Sequence, residues 1–417
     1  MLGFSRQPAG RPGRNAEGRE AEDRALRDLD VWRARGGGLW RRQELVRLKA
    51  ENVLGNRFGH QWRLQQNWRD VPESGVRPLL RMPFTAPDDV EKISVKDVTP
   101  LLEAAGIRLG GTFDVLPVTI HETPATYPCE TKPEDNWLYA AFKGMVELKR
   151  RLEFEGKRCH DFATIGTGSG LDMIGAWHIF HPGRWYVTDI NRDALQTAEE
   201  NLENNVKLED LHWWDTRRNF LHGSLAEPLI ETGAKLDVLY ANLPNIPARH
   251  VEMDGSIASA TFIDRGLVGE VPKEYDRYLL GTQYMTLMQA RQCVKPGGSV
   301  VVALGGRVPY ALVKKMFEEC GYKMEDLYGR MKVQTQPDDV IGGYADNETR
   351  NGVDFRFYDL SLQPFDSGEL EFAEGVSCLQ REEDCAHHAI TAREALRRHA
   401  MGHRIGHPVW ILRGVLQ

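Results

Sequence analysis

Residues 162–165 form a short apolar and β-branched run that stops on Gly166-Thr167-Gly168-Ser169-Gly170, three glycines in five positions. A run of that composition reads as a buried strand. Glycine tolerates positive φ and lets another group approach the main chain. Residues 171–180 then carry a helical pattern, so free N–H groups and the positive end of a helix face the turn. Strand, glycine turn and helix together open a βαβ crossover. That unit restricts the chain to a parallel sheet with helices packed on it. The spacing is G-x-G-x-G, because Leu171 stands where G-x-G-x-x-G needs its third glycine. This argues against a nicotinamide dinucleotide and leaves a nucleotide-like ligand.

The alternation continues over residues 116–345. Residues 185–188 and 237–241 read as strands, and residues 193–204 as the helix between them. Residues 284–293 read as a helix that ends before a turn at Lys295-Pro296-Gly297-Gly298. Residues 299–304 follow as a strand and 308–320 as a helix closed by Gly321. The expected fold class is therefore α/β, Rossmann-like, with a mostly parallel sheet flanked by helices. Residues 1–22, rich in Arg, Gly, Glu and Pro, read as a disordered tail. Residues 23–115 read as a mainly helical N-terminal domain that caps the substrate. Its tryptophans, Trp32, Trp40, Trp62 and Trp68, are expected to serve in packing. A helix is expected near residues 98–105. Residues 346–417 read as a C-terminal extension, strand-like over 353–360 and ending in a charged helix near 394–399.

Composition narrows the function without deciding it. The 417 residues carry a net charge of -7, with 41% hydrophobic and 27% charged residues. An acidic balance argues against a general nucleic-acid binder. No stretch reaches the roughly 18 apolar residues of a membrane span, and no apolar segment follows Arg6, Arg11 and Arg14 to make a secretory signal. The six cysteines are scattered without C-x-x-C spacing, which suggests reduced thiols in a cytoplasmic protein. Cys378 and Cys385 lie near His387, His388, His399, His403 and His407. The favoured reading is a solvated helix with histidines on its polar face, so no metal is expected. A homodimer stays open as an assembly.

Two further residues sit where ligands bind in open α/β sheets, at carboxyl ends of strands. Asp189 follows the strand 185–188. An acidic side chain there can accept both ribose hydroxyls of a nucleoside. Asn191 and Asp193 are better placed to cap the next helix. The strand 237–241 runs into Asn242-Leu243-Pro244-Asn245. An Asn side chain has one acceptor and two donors. At a strand tip its carbonyl can hold an N–H nucleophile and aim the nitrogen lone pair at a methyl group.

These features in this order resemble the class I S-adenosylmethionine-dependent methyltransferases, and within them the release-factor glutamine N-methyltransferase (HemK-type) family. The resemblance covers about residues 125–345. It runs through TIGTGSG, VTDINRDALQTAEENLENN, HGSLAEPL, LDVLYANLPNIP and VKPGGSVVVALG. It implies a seven-stranded sheet and S-adenosyl-L-methionine as cofactor. That cofactor would lie on Gly166, Thr167, Gly168, Ser169, Gly170, Asp189, Ile190, Ser224 and Asn242, with Glu130 and Thr131 of YPCETKPED closing over it. Asn242 and the Pro244 carbonyl would hold the acceptor nitrogen. Three departures stand out. Thr164 replaces the family's acidic residue two before the first glycine. Ser224 replaces an Asp near the adenine. Asn242-Leu243-Pro244-Asn245 replaces Asn-Pro-Pro-Tyr, so Asn245 stands where an aromatic would pack on the acceptor.

The polar segment 248–283 reads as a substrate lid, with His250, Tyr275 and Tyr278 as candidate substrate residues and His250 or Tyr278 as a base. The expected activity is N-methylation of a small molecule at an amine or amide nitrogen. The alternatives are a glutamine-type side chain of a peptide and a non-catalytic protein that keeps the cofactor fold.

Overall fold

The structure, a computed structural model, describes residues 94–109, 116–123, 125–133, 135–205, 218–243, 245–247, 270–365, 371–372 and 375–417. Residues 1–93 lie outside them, and with them the expected tail, the helical pattern of 23–70 and its tryptophans.

The first described elements are β1 (Ser94–Asp97), α1 (Thr99–Ala104) and β2 (Thr119–Glu122). β1 and β2 pair as a separate antiparallel ribbon. Next comes α2 (Trp137–Phe154), an 18-residue helix that the sequence reading did not assign. Asn136 caps it by accepting from the N–H of Leu138 at 2.6 Å;. The Rossmann-like run follows: β3 (Asp161–Ile165), α3 (Leu171–Phe180), β4 (Arg184–Asp189), α4 (Arg192–Asn204), β5 (Arg218–His222), α5 (Glu227–Glu231) and β6 (Leu236–Ala241). It continues through α6 (Lys273–Arg277), α7 (Gly281–Cys293), β7 (Val294–Gly305), α8 (Tyr310–Glu319), β8 (Tyr322–Val333) and α9 (Pro337–Asn351). The chain ends with β9 (Phe357–Asp359), α10 (Cys378–Cys385), β10 (Ala389–Ile390), α11 (Ala392–Ala400) and β11 (Ile405–Leu416). Asn191 caps α4, as expected, accepting from the N–H of Asp193 at 3.0 Å.

The main sheet has nine strands in the order β10-β9-β11-β7-β6-β3-β4-β5, with β8 on β11. Pairs among β3 to β7 are parallel, whereas β11 runs antiparallel to both β7 and β8. Seven of these strands, β8-β11-β7-β6-β3-β4-β5, make the expected mostly parallel, Rossmann-like sheet. β9 and β10 are additions. Strand order reverses between β3 and β6. That switch point opens a crevice at their carboxyl ends.

Two cores cover the two faces. Along β7, Val300, Val302 and Leu304 enter one, while Val301 and Ala303 enter the other. β11 alternates the same way, with Trp410 and Leu412 against Val409 and Ile411. Burial on both faces explains why these strands read as continuous apolar runs.

The boundary expected at 345 falls inside α9, and residues 405–416 are an inner strand of the sheet, not part of a terminal extension. Pro408 misleads here, because proline is rare inside a central strand. Its carbonyl still accepts from the N–H of Gly306 at 2.7 Å, where β7 has ended. The turn expected at 295–298 lies within β7, whose pairing with β6 shifts register between Leu236 and Val238. β8 was missed for another reason: it buries Arg330 and Lys332, so its sequence does not look like an inner strand.

Candidate active site at the sheet switch point

The glycine turn closes over the tip of β3. Gly166, Gly168 and Gly170 all have positive φ, at 66°, 55° and 80°. The N–H of Gly166 and of Thr167 both donate to the carbonyl of Thr188 on β4, at 2.9 and 3.2 Å. Gly170 is a close approach: a Cβ there would stand 2.9 Å from Cα of Ala198 on α4. Gly168 differs, since a Cβ there would meet nothing within 4 Å. The turn therefore packs hard against α4 at one end and presents open main chain in the middle. Asn201, fully buried on α4, donates to the Ser169 carbonyl at 2.8 Å and ties the turn to β2 through His121.

Asp172, which the sequence reading did not single out, holds the turn from below. It accepts from the hydroxyls of Thr164 and Thr167, the latter at 2.8 Å, and from the N–H of Met173 at 2.7 Å. Burial pushes its carboxyl up to about 6, against the pull of those three donors;. The carboxylate missing at Thr164 is thus supplied from α3, beside that threonine. Its signal was an acidic residue in the first turn of an otherwise apolar helix.

Asp189 ends β4 beside the turn. Its two oxygens accept from the N–H of Gly168 at 3.0 Å and of Asn191 at 2.8 Å. Burial raises its carboxyl, and the backbone donors oppose that shift. Ile190 is 46% exposed, unusual for its type and adjacent to the acid;. Ser224 lies just after β5, whose end reaches Asp189 through the N–H of Gly223 at 3.1 Å. Glu130 and Thr131 are exposed before α2, and the Glu130 carbonyl is held by the side chain of the cap residue Asn136.

Asn242 follows β6 directly, across the switch point from the turn, and is half-buried. Leu243 approaches the turn: a Cβ on Gly166 would meet its Cδ2 at 2.7 Å. Asn245 is buried and its carbonyl accepts from the Tyr344 hydroxyl of α9 at 2.7 Å. Pro244 and His250 lie outside the described residues.

Tyr275 of α6 is fully buried, stacks on Tyr284 at 5.4 Å and donates its hydroxyl to Glu319 of α8. Tyr278 packs edge-on against Phe355 at 5.9 Å. Both pack against the core, where α6 lies against α7 and α8. The C-terminal histidines also disperse. Of the five, only His399 lies on α11; His403 pairs with Asp359 at 2.7 Å and His407 is buried in β11. Cys378 and Cys385 are buried free thiols, like the other four cysteines. Among the described residues no three His, Cys, Asp or Glu side chains gather as metal ligands. No described helix is long and apolar enough to cross a membrane.

No protein-family model matches the chain. It is 33% identical over 105 residues to the release factor glutamine methyltransferase of Bacillus anthracis, across 25% of this chain and 34% of that protein. Against the enzyme of the same name from Moorella thermoacetica it is 32% identical over 146 residues, 35% of this chain and 46% of the relative. The methionine S-methyltransferase of Zea mays matches at 23% identity over 258 residues, 58% of this chain and 22% of that protein. The chain thus spans less than half the length of each of these relatives. Among solved structures, precorrin-6y C5,15-methyltransferase from Geobacter metallireducens aligns with a TM-score of 0.33 and 12% identity, over 70% of this chain and 94% of that one. Ribosomal protein L11 methylase from Lactobacillus delbrueckii subsp. bulgaricus aligns at 0.30 and 16%, over 49% and 76%. Over the matched stretch the chain is similar to the release factor glutamine methyltransferases, which is the resemblance its glycine turn and its strand tips carry.

Proposed function

We propose that the chain is an S-adenosyl-L-methionine-dependent methyltransferase that methylates a nitrogen of a small molecule held at Asn242. One observation carries the reading: the glycine turn, Asp189 and Asn242 converge on a single switch-point crevice. The residues present fit the cofactor. Open main chain at Gly168 suits the amino-acid tail, Asp189 suits the ribose hydroxyls and the exposed Ile190 suits an adenine face. When bound, S-adenosyl-L-methionine supplies a methyl group on a sulfonium, already a good leaving group.

The protein's task is then alignment and exclusion of water. Asn242 follows β6 directly and is half-buried, which puts its amide at the strand tip where an acceptor would lie;. Its carbonyl oxygen would accept from the acceptor N–H and turn the nitrogen lone pair toward the methyl carbon. The proton leaves from that nitrogen after transfer. Asn245 in place of an aromatic removes the flat partner that a stacked acceptor would need, and this favours a small molecule over a glutamine side chain. The Zea mays relative, named for methionine, favours a small acceptor as well. The release factor relatives favour the second reading, a glutamine-type peptide side chain. We place the protein in the cytoplasm on its six free, buried thiols;.

The test is transfer of tritiated methyl from S-adenosyl-L-methionine into fractionated lysate. Label is expected among small molecules; label on protein glutamine would establish the second reading instead. Asn242→Ala should lower turnover about a hundredfold or more while S-adenosylhomocysteine affinity holds within about twofold. A collapse of that affinity in calorimetry would remove Asn242 from the acceptor role.

A further inference from the structure

Where β7 ends, the chain turns through Gly306 into Arg307, whose side chain is 2% exposed. Its guanidinium donates to Gln334 at 2.8 Å, to Nε2 of His407 and to the Tyr344 hydroxyl at 3.4 Å, while Nε has no partner. His407 can only accept there. Its Nδ1 donates to the Pro408 carbonyl at 2.9 Å, and burial beside Arg307 and Lys332 holds its pKa far below the usual range. All three partners of the guanidinium are therefore neutral.

Lys332 stands opposite His407 in the β8–β11 ladder and is 5% exposed. Its ammonium donates to the Val333 carbonyl at 3.0 Å. Burial and the neighbouring Arg307 push it down to about 8, although Asp135 and Glu130 pull upward. Among the described residues neither Arg307 nor Lys332 has a carboxylate within ion-pairing distance. Nε1 of Trp137 is a second buried donor without a partner, its ring 5.9 Å from that of His407. Both side chains pack against Gly305: a Cβ there would meet Arg307 Nη1 at 2.3 Å and the Trp137 ring at 3.3 Å.

A buried cation with only neutral hydrogen-bond partners is costly, and buried donors left without a partner are what an anion would satisfy. The position of this cation gives it a purpose. Arg307 reaches Tyr344, and Tyr344 reaches the Asn245 carbonyl at 2.7 Å, so the guanidinium is two hydrogen bonds from the loop that begins at Asn242. On its other flank Lys332 feels the charges of Asp135 and Glu130, in the segment before α2.

We propose that Arg307, with Lys332 beside it, binds a carboxylate of the methyl acceptor. This rests on the methyltransferase reading for the identity of the ligand, though not for the presence of an anion site. A planar guanidinium suits a planar carboxylate better than a point charge would. The same chemistry could come from the carboxylate of the cofactor, so the test separates the two.

The full chain is melted in rising acetate and in rising acetamide, the neutral isostere, at ionic strength matched with chloride. Acetate should raise the midpoint saturably and acetamide should not. Arg307→Gln should abolish the acetate response, and Lys332→Gln, a second variant should the first fail to fold, should weaken it. S-adenosylhomocysteine affinity of the same variants should stay within about twofold of the native chain. Equal effects of acetate and acetamide, or an acetate response that survives both substitutions, overturns the proposal. So does a loss of S-adenosylhomocysteine affinity of about tenfold or more in the variants, which would assign the anion to the cofactor. If the native chain does not bind S-adenosylhomocysteine at all, the methyltransferase reading fails, while the acetate arm still decides the anion site.

Discussion

The two halves of the crevice are held by different means. At the glycine turn the holding groups are backbone N–H donors and two acids, Asp172 and Asp189, within a few residues of the strand tips. At Arg307 they are side chains of Gln334 just after β8, Tyr344 of α9 and His407 of β11, up to 100 positions away. The first half is negative and anchored locally. The second is positive and assembled from distant elements. A cofactor shared by many enzymes can be met by a fixed local frame, whereas an acceptor peculiar to one enzyme is met where insertions and long contacts converge. In this chain the stretch between β8 and β11 carries α9, which touches the loop after β6 through Tyr344.

The sharpest way to break this comparison lies within the turn. Gly170→Val should cost 3 kcal/mol or more, roughly, since the new side chain meets the backbone of Ala198 and requires positive φ;. Gly168→Ala should cost only about 1–2 kcal/mol from its φ, because the methyl enters open space;. It should nevertheless weaken S-adenosylhomocysteine markedly. Denaturant melts give the first quantity and calorimetry the second. If Gly168→Ala binds like the native chain, the open main chain is not where the ligand lies. Next in size, Asp189→Ala should weaken the cofactor by about 1–3 kcal/mol through loss of a charged acceptor. Arg307→Gln, in the other half, should leave that affinity alone; equal losses from both would merge the halves into one site.

The same division governs what could be read from the chain. β3, α3, β4, α4 and β6 were legible because their signals are local: an apolar run, a glycine turn, an Asn cap. The turn, Asp189 and Asn242 were legible for the same reason. β8 and β11 were not. Arg330 and Lys332 disguise one as a surface strand, and Pro408 disguises the other. Arg307 and His407 carried no signal at all, since a buried guanidinium is recognised only once the elements that bury it are in place. Tyr275 misled in the opposite sense, being a polar-tipped residue in a polar segment whose partner, Glu319, lies 44 positions on.

A third test uses pH. Burial raises the Asp172 carboxyl to about 6, from 3.8, with the Asp189 charge adding to it and the Thr164, Thr167 and Met173 donors opposing. Buried Tyr240 also feels this charge. A raised folded-state pKa means that the protonated form is favoured on folding. The contribution is full below about 3.8 and is lost as pH rises through about 6;. Asp172→Asn removes the titration. Relative to that variant, the native chain should lose roughly 1–3 kcal/mol between pH 4 and pH 7. Urea unfolding at several pH values reads the difference. Parallel curves would mean that the acid supporting the turn ionises without cost.

The smallest expected effect concerns a residue that belongs to neither half. Tyr275→Phe removes the hydroxyl that Glu319 accepts but keeps the ring stacked on Tyr284. It should cost about 1 kcal/mol of stability, the usual net worth of one hydrogen bond to a charged group or somewhat less. Methyl transfer and S-adenosylhomocysteine affinity should not change. A fall in turnover without loss of stability would carry the acceptor half to α6. The division between a local cofactor frame and an acceptor pocket centred on Arg307 would then be drawn in the wrong place.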